Sequence, residues 1–383
     1  MEQLREKQLA WFKQLHEHPE LSYEEFETTK LVKEILTGAG IQLIDTGMAT
    51  GTVASIGHGS GHVVGLRCDM DALPIQEDTD LPYASKEPGK MHACGHDFHT
   101  STMLGTALLL KEMEDQLPGR ALVVFQPAEE SGNTSGATIL AQSGAVDEAE
   151  LFLALHSYPH FEAGTLGIKE GPVMASVDTF SVKLTGVGSH AATPHKGIDP
   201  IPGMAALILN LQTIVSRCLS PFETGLVTVA HAEAGNTWNV IPCDALLQGT
   251  VRAMDQRVRE KIKAAIWRMV EHTAATYGLQ WEIEWGEGPG PVVNDERLCA
   301  VAREVATGLG FMVDRQEDTM GGEDFSEYLR IPRERPGLFV RVGTGGGWAN
   351  HHPKFTADPE ALYPASVFFR DLAIRCMERG TEG

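Results

Sequence analysis

The chain has 383 residues, 42% of them hydrophobic and 22% charged, with 40 Gly and 20 Pro as turn material. That length exceeds one ordinary core and reads as about two soluble globular domains. A formal charge of −21, from 31 Lys+Arg against 52 Asp+Glu, repels phosphate backbones and anionic membrane surfaces, so no nucleic acid and no membrane is expected as a partner.

The first 30 residues are charged throughout and lack an apolar h-region, so no signal peptide is expected. They read as two amphipathic helices, 2–18 and 23–38, broken at His18-Pro19 and stopped by Gly38 to Gly40. Strand-like pieces follow, "GTVASIG" (51–57) and "HVVGLRCDMDALP" (62–74). The polar cluster "MHACGHDFH" then leads into a helix, "TSTMLGTALLLKEME" (100–114). Next come a buried strand, "RALVVFQP" (120–127), a Gly-rich helix near 133–143, and a second strand, "AELFLALHS" (149–157). Apolar strands alternating with helices predict an α/β domain whose sheet is covered on both faces.

From about residue 175 the pattern changes. "SVDTFSVKLTG" (176–186) alternates as a half-buried strand, 197–219 reads as a helix, and strands are expected at 225–235 and 245–254. A charged amphipathic helix over 255–277 and the strand "LQWEIEWG" (279–286) complete the order βαββαβ of a ferredoxin-like module. Its longest apolar run, "GMAALILNL" (203–211), is shorter than a membrane span. After 290 the α/β character resumes with a helix near 294–309, the strand "GLFVRVG" (337–343) and a final helix from 359. The expected organisation is therefore one discontinuous α/β domain, 1–174 and 290–383, interrupted by a smaller domain at 175–289. The six cysteines, at 68, 94, 218, 243, 299 and 376, form no CxxC and read as reduced thiols of a cytoplasmic protein.

Several places carry chemistry. "HACGHDFH" gathers His92, Cys94, His96, Asp97 and His99 before an apolar helix, and buried polar groups this dense need a common partner such as a metal ion. In an extended segment Cys94 and His96 project to one side and can share a cation; the competing account is a buried thiol beside a capping imidazole. "QPAEES" (126–131) sets Glu129 and Glu130 just beyond a strand, where sheet enzymes place ligands and catalytic groups. One carboxylate can then bind metal while the other faces water, although a solvated Glu pair in a helical first turn would look the same. "LFLALHSYP" brings His156 to another strand end, and "WANHHPKF" (348–355) puts two histidines before a proline in a constrained loop. "TMGGEDFSEYL" (319–329) has the Gly-Gly-acid look of a tight turn near a site. In the inserted domain, His190 in "GVGSHAATPH", Asn239 in "NTWNVIP" and Arg252 in "GTVRAM" suit recognition of a carboxylate and a developing oxyanion.

Taken in order, "LHEHPELSYEE", "LRCDMDALPIQE", "MHACGHDFH", "FQPAEES", "LHSYP", "GVGSHAATPH", "NVIP", "GTVR", "MGGEDF" and "HHPKF" resemble the metallopeptidase superfamily of aminoacylases, dipeptidases and glutamate carboxypeptidases. The resemblance is to its amidohydrolase branch, which includes hippurate hydrolase-like, N-acyl-amino-acid and auxin-conjugate hydrolases, and it spans nearly the whole chain. It implies a metal-dependent exopeptidase-like catalytic domain with an inserted ferredoxin-like lid and dimerisation domain. It also implies Cys94, His96, Glu130, His156 and His351 as metal ligands, His351 being preferred to His352, and Glu129 as general base. His190 resembles an imidazole that reaches the partner subunit's site. Asp69 and Asp71 are both candidates for a supporting aspartate.

The activity implied is cleavage of the amide of an N-acyl amino acid or a related conjugate. One or two divalent ions (Zn, Mn, Co or Ni) would activate water, and Glu129 would carry the proton to the departing amine. A dipeptidase or carboxypeptidase using the same site is the near alternative, and a non-catalytic metal-dependent ligand-binding protein the distant one. A small amide substrate and a homodimer or higher homo-oligomer formed through the lid are the expected partners.

Overall fold

The computed structural model describes residues 2–132, 134–315 and 319–380. Asn133, at the start of the expected Gly-rich helix, and both extremes of the expected catalytic domain lie outside the described residues. Residues 2–173, 293–315 and 324–380 form one compact unit, and residues 174–292 with 319–323 form another.

In the first unit, eight strands among the described residues make one sheet. Its centre is four parallel strands in the order Arg120–Gln126, Val63–Asp69, Leu151–Tyr158 and Gly337–Gly343. Their Val, Leu and Phe side chains are buried almost without interruption, as a sheet covered on both faces requires. The flanks are Thr52–Ile56 and Gln42–Ile44 on one side, and Thr165–Gly167 and Met312–Asp314 on the other. The three-residue outer strands were not expected from the sequence, being too short to show alternation. Helices His96–Glu112 and Leu362–Arg379 pack on each other and on the Val63–Asp69 strand.

Helix His96–Glu112 begins four residues earlier than its apolar periodicity suggests, because its first turn is polar and nevertheless buried. Cys94 and His96 are therefore not two steps of an extended segment. They flank Gly95, whose φ of 83° is left-handed and whose added Cβ would lie 2.4 Å from Ser157 Oγ. Only glycine fits that turn without displacing its neighbour.

The second unit has the element order strand Ser176–Thr185, helix Pro200–Thr213, strands Gly225–Ala234 and Asp244–Ala253, helix Gln256–Tyr277 and strand Gln280–Glu287. Numbered within the unit, the antiparallel sheet runs fourth, first, third, second strand. Local signals set the helix ends: Asp199 accepts from Ile201 N ahead of Pro200, Asp255 accepts from Arg257 N and Val258 N, and Gly278 closes the second helix at φ 68°. Helix Pro200–Thr213 continues through a π-turn, Ile214–Cys218, so the apolar run exceeds the expected stretch and is long and apolar enough to cross a membrane by length and composition alone. Its inner residues Leu207, Leu211 and Ile214 are fully buried in the unit's own core, while Leu209 is 70% exposed.

Candidate active site

The carboxyl ends of the four central strands and the loops beyond them carry the first unit's polar cluster. Asp69 ends its strand, Glu129 and Glu130 follow Gln126 by a short turn, and His156 lies near the end of Leu151–Tyr158. Cys94 and His96 come from the Gly95 turn, and His351 from the loop after Gly343. His351 holds a left-handed φ of 66° and donates its backbone N–H to Ala93 O over 2.8 Å, which ties that loop to the Cys94 segment.

These side chains converge. One donor atom each from Cys94, His96 and His156 lies within 4.8 Å of the others. The same holds for Cys94, Glu130 and His351, and for His96, Glu129 and Glu130. Cys94 Sγ is 3.5 Å from His156 Nε2, and His351 Nε2 is 3.0 Å from Glu130 Oε1. Cys94, His96 and Glu130 thus link overlapping triads, and Glu129 is a member of the last of them.

The surrounding hydrogen bonds settle what each imidazole can do. His96 Nδ1 contacts Asp71 Oδ1 at 3.2 Å, whereas its buried Nε2 has no hydrogen-bond partner among the described residues. His99 is different: Nε2 accepts from Ser157 N at 2.7 Å, so Nδ1 carries the proton shared with Asp69 Oδ1 at 2.5 Å. Both His99 nitrogens are occupied, so it orients Asp69 and offers no lone pair. His156 Nδ1 is 2.8 Å from Ser157 O and acts as donor there, leaving Nε2 toward Cys94. Asn350 Nδ2 donates to Cys94 O at 3.2 Å and lies 3.9 Å from Cys94 Sγ.

Charge points the same way. Burial alone would discharge His96, yet Asp69, Asp71 and Glu130 outweigh it and raise its pKa to about 10. Burial lowers His156 and His99 to about 4, keeping both neutral as ligand or hydrogen-bonding imidazoles. Buried carboxylates around an imidazole nitrogen that makes no hydrogen bond among the described residues, with a thiol and two further imidazoles in reach, are a donor set that a divalent cation fits.

Asp69 and Asp71 both approach His96, from opposite nitrogens: Asp69 Oδ2 is 3.8 Å from Nε2. Asp71 also accepts from Ser22 Oγ at 2.6 Å and Glu130 N at 2.9 Å. Asp69 is held by Arg67 Nη1 at 2.7 Å, and Arg67 reaches Asp324 Oδ1 at 2.5 Å through Nη2 and Gln126 Oε1 at 2.8 Å through Nε. Arg67, Gln126, Ser157 and Asn350 were not singled out from the sequence, since only their contacts across the fold reveal them.

His190, Asn239 and Arg252 belong to the second unit. His190 is exposed on a two-residue strand opposite Val240, and Ala191 N donates to Asn239 O at 3.1 Å, so these two are neighbours. Arg252 lies on the separate strand Asp244–Ala253, where partial burial lowers its pKa. Beside Asn239, Trp238 is 91% exposed.

Residues 65–375 match peptidase family M20/M25/M40. The chain is 45% identical over 379 residues to the N-acetyl-L-cysteine deacetylase of Bacillus subtilis (strain 168), covering 98% of this chain and 90% of that one. It is 34% identical over 371 residues to thermostable carboxypeptidase 2 of Saccharolobus solfataricus, covering 95% and 93%. Among solved structures, the YXEP protein of Bacillus subtilis, described as a dinuclear metal binding peptidase from the M20 family, matches with a TM-score of 0.88 at 39% identity over 99% of both chains.

Proposed function

Because this chain belongs to peptidase family M20/M25/M40, we propose that it is a metal-dependent amidohydrolase that cleaves a small N-acyl amino acid into a carboxylic acid and a free amine. The observation that carries this reading is the set of donor triads linked through Cys94, His96 and Glu130, one of which includes a second carboxylate, Glu129. The relative named for N-acetyl-L-cysteine deacetylation supports an N-acetyl amino acid as substrate.

Cys94, His96, Glu130, His156 and His351 would hold one or two divalent ions; a thiolate suits zinc, and the imidazoles and carboxylate also accept manganese, cobalt or nickel. When bound, the ions supply Lewis acidity, polarising the amide carbonyl and making water acidic enough to attack near neutral pH. Glu129 takes the proton from the attacking water and delivers it to the amine nitrogen as the C–N bond breaks. Asp71 fixes the orientation of His96 through Nδ1, and Asp69, itself held by Arg67 and His99, lies toward Nε2.

In the second unit, His190 and Asn239 would hold the developing oxyanion and Arg252 the substrate carboxylate. That unit is proposed as a ferredoxin-like lid and dimerisation domain, with His190 serving the partner subunit's site. Its strand order supports the fold assignment. The corresponding catalytic domain is 1–174 with 290–383, and the proposed compartment is the cytoplasm.

Glu129→Gln should keep its metal content and lose turnover of N-acetyl-L-cysteine by about 10²–10⁴ in a single-turnover assay. Turnover near that of the unaltered protein would remove Glu129 from the reaction. A carboxypeptidase activity is the second reading, supported by the relative carrying that name. Comparing amine release from N-acyl amino acids and from dipeptides separates the two.

A further inference from the structure

The turn that carries Glu129 is held in a way its own segment does not explain. Ala128 has a left-handed φ of 53°, which an alanine does not adopt without support. Its backbone N–H donates to Glu25 Oε1 at 2.8 Å, from 103 residues away in sequence. Its carbonyl accepts from Gly136 N and from Ser131 Oγ, both at 3.1 Å. On the other side of Glu129, Glu130 N donates to Asp71 Oδ2 at 2.9 Å. Two carboxylates therefore grip the two backbone N–H groups that bracket Glu129.

Glu25 is fully buried and stands immediately before helix Phe26–Gly38, at the position where a shorter polar side chain would cap the helix. It makes no capping bond. Glu20 does that work instead, accepting from Glu27 N at 3.1 Å and Thr28 N at 2.8 Å. The Glu25 carboxyl is thereby left to reach Ala128. The two grips are tied together, since Ser22 Oγ donates to Asp71 Oδ2 and Ala72 N donates to Glu20 O at 2.7 Å.

We propose that Glu25 is a positioning residue for Glu129: with Asp71 it holds the backbone N–H groups of the two residues that flank the base, Ala128 and Glu130, and so fixes where the carboxylate points. This rests on Glu129 being the base. Burial, with Asp71 nearby, pushes Glu25 up to about 7. The acceptor oxygen is what matters, not a full negative charge, so glutamine can replace it.

The test measures kcat, KM and metal content for Glu25→Ala, Glu25→Gln and Glu129→Gln on N-acetyl-L-cysteine. Displacing a reacting group by about 1 Å can cost roughly 100-fold. The expected result is a kcat about 10–100-fold lower for Glu25→Ala, with KM and metal content unchanged and kcat restored to within about 3-fold in Glu25→Gln. Adding Glu25→Ala to Glu129→Gln should cost nothing further, because the clamp acts through that side chain.

Unaltered kcat in folded Glu25→Ala, or a Glu25→Gln as slow as Glu25→Ala, overturns the clamp. If Glu129→Gln turns over normally, it is the assignment of the base that has failed. Should Glu25→Ala not fold, Glu25→Asp, one methylene short of Ala128 N, carries the same expectation; failure of both to fold makes the role structural and overturns the proposal.

Discussion

At the scale of single residues, carboxylate neighbours give the buried imidazoles His16, His96 and His99 separate tasks. His16 is the plainest case outside the proposed metal-ligand cluster. Its Nδ1 lies 2.6 Å from Asp97 Oδ2 and its Nε2 3.2 Å from Glu77 Oε1. Burial opposes charge on His16, but both carboxylates outweigh it and raise its pKa to about 10. The folded value is above the unfolded one of about 6.5, so this contribution is complete below pH 6.5 and disappears as pH rises through 10. Urea unfolding of the metal-loaded protein should lose on the order of a few kcal/mol across that window, and His16→Gln should lack that slope. Parallel profiles for the two proteins would remove His16 as the origin.

The crowding in "HACGHDFH" announced that some partner was needed, and the donor atoms of Cys94 and His96 do come together with those of His156. What local sequence could not assign is which imidazole keeps a lone pair. That depends on Asp69, Asp71 and Ser157, which arrive from other strands. Glu25 escaped notice for the same reason, its bond partner being Ala128.

At the scale of elements, the decisive piece is the Gly95 turn, which delivers a thiol and an imidazole from opposite sides of one left-handed residue. Gly95→Ala must accept both a disfavoured φ and a Cβ too close to Ser157 Oγ. A loss of roughly 1–3 kcal/mol in stability is expected, with weaker metal retention. Unfolding midpoints and elemental analysis after dialysis check both; unchanged metal retention would mean the turn does not set the ligand spacing.

Hydrophobic runs made the central strands readable, because a sheet buried on both faces needs them. The failures were at edges and starts. The outer strands Gln42–Ile44 and Met312–Asp314 are partly or wholly exposed three-residue pieces, and helix His96–Glu112 opens on residues whose polarity serves the site.

For the molecule as a whole, the proposed assembly makes a prediction that no single subunit can satisfy. The second unit leaves Leu209 at 70%, Ile201 at 41% and Phe222 at 98% exposure, apolar side chains that a second copy could cover. If His190 serves the partner's site, His190→Ala and Glu129→Ala, each inactive alone, should regain activity when mixed and exchanged. Sedimentation showing a fully active monomer, or no complementation despite exchange proven by labelled subunits, would defeat the trans arrangement.

The change from strand–helix alternation to half-buried antiparallel strands falls near residue 174, where the second compact unit begins, because each layer type has its own hydrophobic period. The short stretch at 319–323 could not be recognised as part of the second unit. It is glycine-rich and aperiodic, and it joins that unit through contacts such as Ala175 N to Gly321 O at 2.9 Å.

That small return has a practical bearing on anyone who would shuffle this protein with its relatives. The polypeptide passes between its two units four times, not the two that a simple insert would need. Splicing 173 directly to 293 removes the obvious insert but strands 319–323 without the neighbours it was built against. A chimaera that exchanges the insert must carry both pieces from one parent, or it will join halves that were never matched.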